Sequence, residues 1–216
     1  MMALTADRIH TPQNRVEPPI IEYFSGSRRY YDNRENVTVI KIISGDWYVS
    51  TKPGEMVSTI LGSCVSACIR DPYVGVGGMN HFLLPGSEDM DSSNSDAARY
   101  GVFAMENLIN GIMKEGGRKE RLEIKVFGGG NVIRNSACIG SKNAKFIREF
   151  LRKEGFRNFS EDLEGEHPRR VHYYPDSGKV MMRLLRRKED MVVVEEEKIY
   201  ERRIINKPMG SDVELF

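Results

Sequence analysis

The feature that most constrains this chain is a series of short β-branched runs, each closed by a turn signal. VTVIKII (37–43) stops at Ser44-Gly45-Asp46, and WYVS follows. A run from Val57 to Ile60 leads into Gly62-Ser63-Cys64, and VSACIR ends at Asp71-Pro72. VGVGGMNHFLLP is apolar almost throughout. Runs of this kind, bounded by Gly, Pro and Asp, read as strands. Helical spacing shows in two places. Val102, Met105, Ile109 and Ile112 form a stripe within Tyr100–Lys114, ended by Gly116-Gly117. Ala144, Ile147 and Leu151 form another within 142–154, with Ser141 as its expected cap and Gly155 as its stop. Ser95 or Asp96 can cap the first helix. LEIKVF (122–127), 169–174 and 179–185 add strands, the last two joined at Asp176-Ser177-Gly178. MVVVEEE is a candidate edge strand. Strands in runs with two helices among them predict an α+β layered domain rather than a regular βαβ series.

Composition bounds the rest. Residues 1–36 are rich in Arg, Asn, Asp and Pro without a period, and read as a flexible arm containing Arg28, Arg29, Tyr30 and Tyr31. The expected domain is 37–198, with a charged tail over 199–216. A net charge of +1 offers no basic field for nucleic acid. Three cysteines is an odd count with no disulfide framework, which favours a reducing compartment. The first residues lack an apolar signal region, and no apolar run nears the ~20 residues that span a bilayer. The expectation is a cytoplasmic protein without membrane insertion.

The chemistry-bearing stretch is TILGSCVSACIRDP (59–72). A metal site there is disfavoured. With 65–70 as a strand, Cys64 and Cys68 stand ~13 Å apart at ~3.3 Å per residue, too far to share one ion through ~2.3 Å bonds. As a nucleophile, Cys64 needs a base or a positive environment to become a thiolate. Gly62-Ser63 permits a sharp corner and leaves backbone amides to face an oxyanion. His81, in the next strand segment, is the only histidine of the central region. The bland readings stand beside these: buried cysteine is an ordinary core residue, and a strand histidine is commonly a hydrogen-bonded core residue. Cys68 and Cys138 read as packing. Gly128-Gly129-Gly130 fits no phosphate-loop pattern and reads as allowing close backbone packing beside a site. From residues alone, Cys64 stays undecided.

A resemblance narrows it. LGSCVSACIRDP, GGMNHFLLP, RYGVFAMENLI, LEIKVFGGG, IGSKNAKFIREFL and RRVHYYPDSGKV resemble, in order, segments of the CheD family of chemoreceptor glutamine deamidases, over roughly residues 46–188. The resemblance implies a layered α+β sandwich of mixed sheets flanked by helices, like toxin deamidases. It implies Cys64 as nucleophile, His81 as base, and a hydroxyl residue as third member. Counting back to the family's hydroxyl position gives Ser58 with Thr59 beside it. Only one of the two can face the site, and register selects Ser58. Glu164 departs from the paired glycines usual there. The implied reaction converts glutamine side chains of methyl-accepting chemotaxis receptors to glutamate through a thioester, with no metal or organic cofactor. A CheC-type phosphatase is an implied partner.

Overall fold

The computed structural model describes residues 28–84, 96–132 and 139–186. Ten strands and two α-helices follow in the order β1 (Arg28–Asp32), β2 (Val37–Lys41), β3 (Trp47–Ser50), β4 (Glu55–Leu61), β5 (Val65–Asp71), β6 (Val76–Asn80), α1 (Asp96–Lys114), β7 (Glu123–Gly128), α2 (Ile139–Lys153), β8 (Phe159–Leu163), β9 (Arg169–Tyr174) and β10 (Lys179–Leu184). One sheet runs β1-β2-β4-β9-β10 and the other β3-β6-β5-β7-β8. Both are mixed. β2 pairs parallel with β4, β7 parallel with β8, and the remaining ladders are antiparallel.

Alternation along the central strands decides the layers. Val65, Ala67 and Ile69 of β5 pack with Met105, Leu108 and Ile112 of α1 and with Ile147 and Leu151 of α2. Cys64 and Cys68 face the other way. They join Val57, Leu61, Met79, Leu83, Val171 and Tyr173 in a second core between the sheets. The described architecture is therefore sheet on sheet on helices, the layered α+β sandwich expected. No described helix is long and apolar enough to cross a membrane.

Several local expectations change. Arg28–Asp32, read as part of a flexible arm, is strand β1 and pairs with β2 over its whole length. Two exposed tyrosines and no apolar alternation hide it in the sequence. β8 is hidden too. Its sequence FSEDL is polar because it is an outward-facing edge strand. Ser141 lies inside α2, which starts at Ile139, and so does not cap it. The helix of 100–114 begins earlier, at Asp96. Ser95, Cys138, the MVVVEEE stretch and the tail from 199 lie outside the described residues.

Candidate active site

β4 and β5 meet at the corner Gly62-Ser63-Cys64, at the heart of the inter-sheet layer. Val65 and Phe82 exchange backbone hydrogen bonds, 2.9 Å each way. This continues the β5–β6 register in which Cys68 faces Met79. The same register sets Ser66 opposite His81 and Cys64 opposite Leu83. Cys64 and His81 are thus diagonal neighbours on one face, the face of Met79 and Leu83. Diagonal pairs lie about 7–8 Å apart, within reach of a histidine ring. Both are buried: Cys64 is 0% and His81 5% exposed.

The hydroxyl beside the histidine is not the one that the register choice gives. On β4, Val57 and Leu61 belong to the inter-sheet core, so Thr59 shares their face and Ser58 faces away. Thr59 Oγ1 lies 2.7 Å from His81 Nδ1. Ser58 instead sits beside Lys41 and His172 across its ladders. The register choice of Ser58 is corrected: the hydroxyl that meets His81 is that of Thr59.

That hydroxyl also assigns the histidine's protons. Thr59 Oγ1 donates its single hydrogen to the Ile42 carbonyl, 2.8 Å away. It must therefore accept from Nδ1–H. In the neutral ring the lone pair then sits on Nε2. Among the described residues Nε2 has no hydrogen-bond partner, though it is buried. Burial pushes the His81 pKa down from 6.5 to about 3. At neutral pH the ring is uncharged, with Nε2 open as a base. Burial thus disfavours an imidazolium at His81.

The Ser44-Gly45-Asp46 turn encloses this histidine. Gly45 N–H donates to the His81 carbonyl at 2.8 Å, and His81 N–H donates to the Asp46 carbonyl at 2.9 Å. The turn brings Ser44 Oγ to 3.7 Å from Cys64 Sγ. Burial raises the Asp46 carboxyl from 3.8 to about 6, against a lowering contact from the Ile43 amide. In the sequence this stretch signals only a turn, and nothing local marks Ser44 as a neighbour of the thiol.

Gly128–Gly130 serves the corner by close approach. Gly129 N–H donates to the Cys64 carbonyl at 2.7 Å, and Gly130 N–H donates to that of Gly62 at 2.8 Å. A Cβ on Gly128 would overlap the Cys64 carbonyl oxygen. These two amides are engaged by the protein itself rather than left for an anion. Cys68 is buried in the same layer, and burial pushes its thiol far above the ordinary range. Its environment suits packing, not chemistry.

The model for CheD, chemotactic sensory transduction, matches residues 83–184. That stretch begins just after His81, so it does not itself include the Cys64–His81 pair. Matches to individual relatives span more of the chain. A Rhodopseudomonas palustris protein described as a probable chemoreceptor glutamine deamidase CheD is 50% identical over 191 residues, 88% of this chain and 89% of its own. This chain belongs to the CheD family. A relative of the same description from Hahella chejuensis is 42% identical, covering 96% of this chain and 100% of its own. One from a Janthinobacterium species is 48% identical over 87% of this chain and 93% of its own. In a CheD-family chain, a thiol, a neutral histidine and an orienting hydroxyl in one buried layer have a ready chemical meaning.

Proposed function

We propose that Cys64, His81 and Thr59 deamidate glutamine side chains of chemoreceptors. The observation that carries the site assignment is the Thr59–His81 hydrogen bond, which leaves Nε2 as the base on the face shared with Cys64. Family membership and the description shared by the relatives support the deamidase activity and the chemoreceptor substrate. In this reading Sγ attacks the carboxamide carbon while its proton passes to Nε2. His81 then protonates the departing ammonia. Water activated by His81 hydrolyses the thioester, leaving glutamate. Thr59 holds the tautomer throughout. The chain's own groups suffice for each step.

A cysteine peptidase would use the same pair. The burial of Cys64 favours the side-chain substrate: a carboxamide on a slender stem can enter where a main chain with flanking side chains cannot. The substrate region in this reading is the cytoplasmic helical part of methyl-accepting receptors, which places the protein in the cytoplasm. A CheC-type phosphatase is a further partner, on the family resemblance. The test incubates the protein with receptor cytoplasmic fragments, followed by mass spectrometry. A gain of about 1 Da at particular glutamines, with ammonia release, is expected for amide-to-acid conversion through a covalent thioester. The gain should vanish in Cys64→Ala and persist in Cys68→Ala. A bound but unchanged receptor would leave only a binding module.

A further inference from the structure

Two well-tied pieces of backbone meet at the Cys64 thiol. One is its own corner, where Gly130 N–H donates to Gly62 O, Asn143 Nδ2 to Ser63 O at 2.9 Å, and Gly129 N–H to Cys64 O. The other is the Ser44-Gly45-Asp46 turn. Asp46 N–H donates to Ile43 O at 2.9 Å, and Ile43 N–H donates to the Asp46 carboxyl at 3.0 Å, which closes the turn. The two backbone hydrogen bonds to His81 then fix the turn against the end of β6. Between the two pieces, Ser44 Oγ stands 3.7 Å from Cys64 Sγ, a hydrogen bond between oxygen and sulfur. Ser44 is buried, and among the described residues the thiol is the one polar partner of its hydroxyl. A buried hydroxyl is costly to leave unpaired, so this one stays with the sulfur.

The charge on sulfur sets the direction of this hydrogen bond. A thiol can give or take, but a thiolate can only accept. Once Sγ has lost its proton, the Ser44 O–H has to be the donor. A sulfur anion accepts several hydrogen bonds at once, so this one does not depend on what else Cys64 meets. The thiolate forms at a fully buried position, and burial also disfavours the imidazolium that would balance it. A hydrogen bond to an ionised group is the strong kind. The thiolate appears twice in a thioester deamidation, as the nucleophile and as the leaving group. Stabilising it raises its population, gives up only about half of that gain in nucleophilicity, and speeds its departure.

We propose that Ser44 is a further catalytic residue of the deamidation, its hydroxyl donating to the Cys64 thiolate as it forms and as it leaves. The proposal rests on the deamidase reading above. In the first half, the thiol proton goes to His81 Nε2, a sulfur lone pair forms the S–C bond, and the carbonyl π pair moves to oxygen. When the tetrahedral adduct collapses, the C–N bond breaks and ammonia leaves with the proton from His81. In the second half, water adds to the thioester carbon and gives a proton to Nε2. The C–S bond then breaks, the sulfur keeps the electron pair, and His81 returns the proton to it. Ser44 keeps its own proton throughout. It serves the sulfur as Thr59 serves the base.

The experiment compares wild type, Ser44→Ala and Ser44→Thr in two measurements. One is the deamidation of receptor cytoplasmic fragments. The other is the titration of the Cys64 thiolate by its ultraviolet absorbance, as the difference from the same protein carrying Cys64→Ala. These changes leave in place His81, Asp46, Cys68, Lys125, Tyr48 and Tyr173, titratable neighbours in the turn and the layer. Ser44→Ala is expected to lower kcat on the order of tenfold, one hydrogen bond to a charged group less the nucleophilicity given up. Its thiolate should form only at higher pH than in wild type. Ser44→Thr, which keeps the hydroxyl, is expected to restore both. Ser44→Gly removes the same hydroxyl without adding bulk, and keeps the test open if Ser44→Ala fails to fold. An unchanged titration, or an unchanged kcat, in a folded variant without the hydroxyl overturns the proposal. So does a folded Ser44→Thr protein as slow as Ser44→Ala, which would mark a merely structural role. Wild-type protein that releases no ammonia overturns the deamidase reading and this proposal together, and that control tells it apart from the other failures.

Discussion

At the scale of single residues, the site depends on one hydroxyl and one buried ring. Thr59→Val keeps the shape but removes the acceptor for Nδ1–H, freeing the ring to rotate or change tautomer. A loss of kcat on the order of 10²-fold is expected, the cost of a misplaced catalytic group. Ser58→Ala should leave the rate near wild type. Steady-state ammonia release from both variants measures this, and a loss in Ser58→Ala with none in Thr59→Val would return the third role to Ser58. The buried ring also predicts pH behaviour. With the His81 pKa held near 3, kcat/KM should pass through pH 6.5 without the usual histidine limb, and a limb there would contradict a neutral, buried base. Stability follows by linkage. Because the folded pKa lies below the unfolded 6.5, the His81 contribution is full above pH 6.5 and is lost as pH falls toward 3. Asp46 works oppositely: its raised value makes its contribution full below 3.8 and lost as pH rises through 6. Comparing Tm against pH for wild type and His81→Asn cancels the Asp46 part. The wild type should fall more steeply between about pH 6.5 and 4.

At the scale of elements, buried strands were legible, the exposed edges β1 and β8 were not, and the edge strand β10 was, through the hairpin turn that joins it to β9. β4, β5 and β6 are buried almost throughout, and their β-branched, turn-bounded runs carry that burial into the sequence. β8 packs only its end residues, Phe159 and Leu163, against the core and exposes the three between them, so it carries no apolar period. The turn after β8 explains the departure at Glu164. Glu164 and Gly165 both hold positive φ, 69° and 82°, a backbone that glycine adopts freely and a glutamate does not. The turn is held because Glu164 N–H donates to Gly128 O at 2.8 Å and Asn131 N–H to Gly165 O at 2.7 Å. Arg169 adds a hydrogen bond to the Glu164 carbonyl. Glu164→Gly and Glu164→Ala both remove the half-exposed contact to Arg148, so their difference isolates the backbone. Glu164→Gly should exceed Glu164→Ala by about 1 kcal/mol in urea unfolding, the cost of a left-handed Cβ. Equal midpoints would mean the turn relaxes.

At the scale of the whole molecule, the two sheets are joined at one edge by a buried carboxylate. Glu55 on β4 accepts from Arg29 on β1 at 2.9 Å, and from Tyr48 and Ser50 on β3 of the opposite sheet at 2.6 and 2.5 Å. Glu55 is 2% exposed, so each donor satisfies a group that has no water to turn to. Arg29→Ala removes the only cationic partner among these donors. It should cost roughly 1.5–3 kcal/mol, the range for hydrogen bonds to charged groups. Urea unfolding measures it, and a change near zero would mean that β1 adds little to the described domain. The placement of β1 matters because composition alone assigns Arg28–Tyr31 to a flexible arm. Its ladder with β2 is a local hairpin, and its tie to Glu55 reaches 26 residues along the chain.

By itself the sequence determined most of the segments that extend, where they turn, and which side chains are candidates for chemistry. Those properties are local: a β-branched run, a glycine corner and a thiol beside it are visible within a few residues. It also carried the ordered motifs by which the family resemblance could be read. Only the tertiary structure decided which of Ser58 and Thr59 meets His81. Strand side chains alternate strictly, but the phase of that alternation relative to a distant sheet is set by pairing. A one-residue slip would exchange the two hydroxyls. The same holds for Ser44 at the thiol and Asn143 behind the corner. Each is brought there by folding across many intervening residues, and no spacing in the chain records such an approach.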